Sequence, residues 1–83
     1  MITKKLNKIL KKIFPNDKIP KNIKKLTHGY FKSWDSLKHF DLLLRIEEDF
    51  KVKFSSREMA RLKNLDEIIS TLEKSIINAA RDK

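Results

Sequence analysis

The 83-residue sequence contains no cysteine, one glycine and two prolines. Without cysteine, the chain can form no disulfide, thiolate metal site or cysteine nucleophile, and packing alone has to stabilise the fold. Scarce glycine and proline argue against a turn-rich β protein, and a 40% share of hydrophobic residues argues against a disordered chain. The sequence therefore predicts a single small all-α domain over residues 1–83.

Long apolar segments are also missing. The longest purely apolar run is Leu42-Leu43-Leu44, and no apolar core follows the lysines near the N-terminus. A signal peptide needs about 7–15 apolar residues and a membrane-spanning helix about 20. We therefore expect a cytoplasmic protein.

Residues that could carry enzyme chemistry are few. His28 and His39 have no cysteine or carboxylate partner at metal-ligand spacing, so we predict no metal site and place both histidines at the surface or the edge of the core. Ser36 and His39 are three residues apart, but no glycine-rich turn offers the oxyanion hole that a hydrolase would need. The sequence predicts that the protein is not an enzyme and has no catalytic residue.

The positive charge is concentrated in the first part of the chain. Residues 1–32 hold ten lysines and only Asp17, which gives a net charge of +9, whereas the charges of residues 33–83 sum to zero. Clustered lysines attract polyanions, and nucleic acid and anionic membranes are both candidates. The cluster alone does not identify a partner.

Apolar periodicity predicts a four-helix bundle whose helices are long, long, short and long. The predicted helices span residues 2–14, 36–50, 56–62 and 65–80. A long loop separates the first two helices. The second helix begins after the N-cap Asp35, and its apolar residues, including Leu37, Phe40 and Leu44, surround most of its circumference. We therefore expect this helix to be central and mostly buried.

Ser36 stands out because it follows the N-cap residue of the second helix. On the first turn of a helix, unpaired backbone N–H groups and the macrodipole favour a phosphate group. The motif Trp34-Asp35-Ser36-Leu37 is followed by the leucine run at 42–44, by Ile46-Glu47-Glu48-Asp49-Phe50 and by the apolar Phe54.

This motif and its spacing resemble the acyl carrier protein family, and the resemblance is densest over residues 31–72. The resemblance implies that a phosphopantetheinyl transferase attaches 4'-phosphopantetheine from coenzyme A to Ser36, between Asp35 and Leu37. The thiol of this arm holds acyl groups as thioesters for the enzymes that load and use them, as in fatty acid biosynthesis and other lipid metabolism. A monomeric carrier is expected.

The resemblance also implies that the helix after the serine docks partner enzymes. By position, the docking residues are Lys38, Asp41, Arg45, Glu47 and Glu48. The chain departs from the family in its net charge of +9, in Trp34 before the motif and in Lys51 where many relatives have glycine. These departures favour a specialised carrier over the general fatty-acid carrier.

Two other roles rest on the lysines. The alternative function is a small basic nucleic-acid-binding helical domain, with residues 55–62 as a short recognition helix, although the lysines lie away from that segment. In addition, the basic face of the first helix, with Lys4, Lys8 and Lys11, could contact an anionic membrane while the protein acts as a carrier.

Overall fold

The computed structural model describes the backbone of residues 2–81 and the side chains of residues 2–75. Four α-helices and one 3₁₀ helix make this part of the chain all-α. The α-helices are α1 (Ile2–Ile13), α2 (Ser36–Phe50), α3 (Ser56–Arg61) and α4 (Leu65–Arg81). The predicted and observed ends of these helices differ by at most one residue. No helix within residues 2–81 is long and apolar enough to cross a membrane.

Helix α1 is amphipathic, as its periodicity predicts. Its apolar side chains are buried in the core, and its lysines lie on the exposed face. The backbone N–H of Phe14 still donates to the carbonyl of Leu10 (2.8 Å), so the helical hydrogen bonding extends one residue beyond Ile13. The apolar face of α1 is thus used for packing inside the protein, mainly against α2 and α4.

The segment between α1 and α2 is not a plain loop, and this part of the prediction was incomplete. A 3₁₀ helix at Ile23–Lys25 begins at Asn22, whose side-chain oxygen accepts from the backbone N–H of Lys24 (3.2 Å). A turn of three residues is too short to show a period, which is why apolar spacing did not reveal it. The buried side chains of Ile23 and Leu26 hold this segment in the core.

A short backbone pairing joins the same segment to the start of α4. Thr27 and Asn64 form an isolated antiparallel bridge. On either side of it, His28 N–H donates to the carbonyl of Lys63 (2.7 Å) and Leu65 N–H donates to the carbonyl of Leu26 (2.9 Å). We call this pairing of residues 26–28 with residues 63–65 the backbone clamp.

Helix α2 is less buried than its sequence predicts. The exposed fractions of Leu37, Phe40 and Leu44 are 81%, 51% and 43%. Their spacing of three and four residues places them on one face of α2, which we call the apolar stripe. The expectation of a mostly buried helix was wrong, because α1 packs on another side and the apolar stripe is left facing solvent. The buried residues of α2 are His39, Leu42, Leu43 and Ile46.

Local capping motifs begin α3 and α4. Ser55 and Glu58 form a reciprocal capping box at the start of α3. At the start of α4, Glu67 N–H donates to Asn64 Oδ1 (2.8 Å), and Asn64 Nδ2 donates to Glu67 Oε1 (2.9 Å). The second motif is therefore a side-chain variant of the capping box.

The core is built from α1, the 3₁₀ segment, α2 and α4. Trp34 is buried in this core, and the centroids of its ring and the ring of Phe14 are 4.8 Å apart. Leu65, Ile68 and Leu72 complete the core from α4. Helical periodicity predicts that Ile76 and Ala79 of α4 and Ala60 of α3 face the core. The side chains of Ile76 and Ala79 lie outside the described part, and Ala60 is exposed. The buried Trp34 lies immediately before Asp35 and Ser36, so the core fixes the start of α2.

Candidate functional site

Ser36 is the first residue of α2 and is exposed. Asp35 precedes it with extended backbone angles (φ −92°, ψ −172°), and its Oδ1 accepts from the N–H of Lys38 (2.9 Å). This cap satisfies one of the free N–H groups at the helix start, and the helix macrodipole leaves partial positive charge there. The structure thus places an accessible hydroxyl at an electropositive helix end.

Ser36 lies at a groove of about 320 Å³, which we call the Ser36 groove. Its apolar lining comes from Phe40, Leu43, Met59 and Ala60. Its polar lining comes from Ser36, His28, His39 and Lys63. Residues of α2, of α3 and of the backbone clamp therefore meet beside the serine.

His39 forms the buried polar side of the groove, with 8% of its surface exposed. Trp34 Nε1 donates to His39 Nδ1 (3.0 Å), so the ring proton lies on Nε2, which donates to the carbonyl of Leu62 (2.6 Å). Burial lowers the pKa of His39, the bond to Leu62 raises it, and the charges of His28 and Lys63 lower it further, with a net fall below the usual 6.5. His39 is held neutral with both nitrogens occupied, so it cannot take a proton from Ser36.

His28 lies directly on His39. The two rings are parallel within 6°, and their centroids are 4.8 Å apart. The backbone clamp fixes the position of His28, and the Lys63 carbonyl also accepts from Thr27 Oγ1 (3.1 Å). Sequence reasoning missed the association of His28 and Lys63 with Ser36, because no local pattern indicates a backbone pairing between residues so far apart in the sequence.

Two of the predicted docking residues have internal partners. Lys38 Nζ donates to the carbonyl of Ile13 at the end of α1 (3.1 Å). Glu47 Oε2 accepts from the backbone N–H of Phe54 (2.6 Å). These two side chains bond α2 to the end of α1 and to the segment before α3. A docking partner that contacts either side chain would have to compete with its internal hydrogen bond.

The other predicted docking residues are open to solvent. Asp41, Arg45 and Glu48 are exposed on α2, and Leu37 is exposed next to Ser36. Asp41 and Glu48 lie beside the apolar stripe on a helical projection, because each follows a stripe residue by four positions. The surface after the serine therefore combines apolar side chains with two carboxylates.

Lysines of α1 form a separate exposed surface. Lys4, Lys8 and Lys11 are exposed, and Lys5 lies over the ring of Phe50, 5.2 Å from its centroid. Lys5 Nζ also donates to the carbonyl of Asp49 (3.3 Å). Within the described side chains, no three His, Asp or Glu residues come together as a potential metal site.

The components of the candidate site are an exposed serine on a capped helix, a partly apolar groove beside it and two basic side chains at the groove. Comparisons of the chain with protein families, with curated proteins and with solved structures found no match.

Proposed function

We propose that this protein is an acyl carrier with the four-helix bundle of the acyl carrier family, bearing 4'-phosphopantetheine on Ser36. The observation that carries the proposal is the exposure of Ser36 as the first residue of a 15-residue helix beside a groove with an apolar lining. A helix start favours a phosphate ester, and the groove offers apolar contact. The motif around Ser36 resembles that of the family.

The residues around Ser36 fit the attachment of such an arm. The Ser36 oxygen forms a new bond to phosphorus, the pyrophosphate bond of coenzyme A breaks, the nucleotide leaves, and the hydroxyl proton goes to a base of the transferase. None of the neighbouring side chains has to act as that base, which agrees with the neutral, fully bonded His39. Once attached, the arm supplies the thiol that the cysteine-free chain lacks.

The surface beyond Ser36 supports docking of partner enzymes. The apolar stripe offers Leu37, Phe40 and Leu44, and Asp41 and Glu48 flank it with negative charge. An enzyme with an apolar contact region ringed by basic residues would complement this surface. The positive excess elsewhere on the chain favours a specialised carrier with its own set of loading and using enzymes. We propose that the carrier acts as a monomer in the cytoplasm, in lipid metabolism and without catalysis of its own.

Intact mass measurement tests the attachment. The protein is incubated with coenzyme A and a phosphopantetheinyl transferase of broad specificity, and we expect a gain equal to one phosphopantetheinyl group. Ser36→Ala should abolish the gain.

Ser56→Ala is the matched control, because Ser56 is likewise exposed and is the first residue of α3. This variant should gain the same mass as the wild type. Absence of any gain in wild type, or a gain that persists in Ser36→Ala, contradicts the proposal.

The alternative function is nucleic-acid binding by the exposed lysines of α1. It is supported by the net charge of +9 and by the exposure of Lys4, Lys8 and Lys11 along one helix. Such binding should weaken steeply with salt. A gel shift with duplex and single-stranded nucleic acid at low salt tests it, and the absence of a shift excludes it.

Contact with an anionic membrane would use the same lysines. Because Leu6, Ile9 and Leu10 are buried, α1 has no free apolar face to insert, and binding would be electrostatic. Sedimentation with anionic vesicles, with Lys4, Lys8 and Lys11 changed to Glu as the control, tests this contact.

A further inference from the structure

Two basic side chains at the Ser36 groove have no role in the function described so far. We propose that His28 and Lys63 bind the phosphodiester that links the arm to Ser36. This inference rests on the proposed function and adds to it a binding site for the phosphate group. Both residues line the same groove as Ser36, although they are 8 and 27 positions away in sequence.

The local charges favour such a site. Asp35 places a carboxylate next to the serine, and a phosphodiester on Ser36 adds a second negative charge. The start of α2 supplies only partial positive charge. Lys38 is close in sequence, but its ammonium group donates to the carbonyl of Ile13 and lines a different cavity, on the α1 side. Within the Ser36 groove, Lys63 and His28 are the side chains that can offer hydrogen bonds to such an anion.

His28 and Lys63 are suited to this task because the backbone clamp fixes their backbones and their polar side-chain groups are available. The backbone clamp joins the two residues directly through the bond from His28 N–H to the Lys63 carbonyl. Stacking on His39 holds the imidazole plane. Among residues 2–75, none of the hydrogen bonds described involves the His28 ring nitrogens or Lys63 Nζ.

The neighbouring His39 shows why the two histidines have different roles. Its two nitrogens are used by Trp34 and Leu62, so it supports the stack and cannot contact a phosphate. His28 stacks on His39 and is half-buried, and both of its ring nitrogens are available to a ligand. Charge-assisted hydrogen bonds to phosphate oxygens are stronger than neutral ones, so two such donors would hold the phosphate end of the arm at the groove.

Nuclear magnetic resonance of the modified protein tests the inference. Intact mass first establishes that the arm is present. In wild type we expect nuclear Overhauser contacts between the His28 ring protons and the arm protons next to the phosphodiester. We also expect the phosphorus resonance to shift in Lys63→Gln and in His28→Phe, which keeps a stacked ring but removes the nitrogens.

Lys53→Gln is the matched control, because Lys53 is exposed and does not line the groove. Its phosphorus resonance should equal that of wild type. A modified wild type without these contacts, together with an unshifted phosphorus resonance in Lys63→Gln, overturns the inference and leaves the carrier function intact. Failure of wild type to accept the arm, seen by mass, instead overturns the carrier function. Lys63→Gln changes an exposed side chain, so the test does not depend on whether His28→Phe folds.

Discussion

At the scale of single residues, His39 connects two segments that are distant in the sequence. One imidazole joins the indole of Trp34, in the segment before α2, to the Leu62 carbonyl after α3. Its Nδ1 accepts a hydrogen bond, so a proton added there would face the N–H of Trp34. The structure therefore requires neutral His39, which agrees with the lowering of its pKa by burial.

Acid should destabilise the protein through this residue. The pKa of His39 is lower in the folded state than the usual 6.5 of the unfolded chain, so between these two values the unfolded state binds more protons. The contribution of His39 is complete above pH 6.5 and declines as the pH falls from there to the folded-state pKa. Urea denaturation from about pH 8 to about pH 5 should show a falling free energy of unfolding.

His39→Gln is the control for this pH dependence. The amide can still form hydrogen bonds but does not titrate, so the variant should be less stable at neutral pH and show a shallower decline below pH 6.5. Equal slopes in the two proteins would show that other groups cause the acid sensitivity.

At the scale of elements, Lys51 ends α2 under strain. Its φ of 57° lies in the left-handed region, and its N–H donates to the Glu47 carbonyl. The left-handed conformation costs a non-glycine residue about 1–2 kcal/mol, whereas the greater freedom of unfolded glycine costs about 0.5–1 kcal/mol. Lys51→Gly should therefore raise the free energy of unfolding by about 0.5–1 kcal/mol in urea denaturation.

Lys53→Gly provides the comparison, since no positive φ occurs at this position. At this position glycine relieves no strain and only adds conformational freedom to the unfolded chain, so the free energy of unfolding should fall. A loss of stability in Lys51→Gly equal to that in Lys53→Gly would contradict the strain assigned to Lys51.

The connection from α2 to α3 depends on Glu47. Its carboxylate accepts the half-buried N–H of Phe54, and removal of the carboxylate leaves that donor without its partner. Glu47→Ala should lower the free energy of unfolding by about 1–3 kcal/mol, whereas Glu48→Ala, at an exposed position, should stay within about 0.5 kcal/mol. Urea denaturation of both variants measures the difference, and equal values would contradict a structural role for Glu47.

The positions of the α-helices were easier to predict from the sequence than the burial of their faces or the structure of the segments between them. Caps such as Asp35 and Ser55 are local signals, and the starts of α2 and α3 follow them. The burial of Leu37 and Phe40 was predicted wrongly because apolar side chains all round a helix do not show which side meets the core. The 3₁₀ helix at Ile23–Lys25 was missed because one turn carries no period.

At the scale of the whole molecule, uneven charge affects stability. Lys4, Lys8 and Lys12 are exposed and follow one another at four-residue spacing on α1, so each adjacent pair repels. Lys8→Glu turns these two repulsive pairs into attractive ones and should add about 0.8–2 kcal/mol to the free energy of unfolding at low salt.

Lys8→Gln removes the repulsion without adding attraction, and it should give about half of that gain. Raising the salt to about 1 M shortens the screening length to about 3 Å and should bring all three proteins together. A difference that persists at high salt would mean that the lysines act through packing instead of charge.

The candidate site was only partly predictable. Ser36 and Asp35 were identified because a cap and a first-turn residue are adjacent in sequence. His28 and Lys63 were not, since their place beside Ser36 depends on the backbone clamp, whose partners are far apart along the chain. The all-α class was predictable from composition and periodicity, whereas the groove depends on a tertiary pairing that no local pattern reveals.

The backbone clamp also has a consequence for folding kinetics. Helical proteins fold quickly because most of their contacts are local, but the bond between Leu65 N–H and the Leu26 carbonyl requires closure of a chain loop that contains α2 and α3. The entropic cost of that closure is incurred before the bridge and the stacked histidines can form. We therefore expect the groove beside Ser36 to be among the last regions to reach its native structure during refolding.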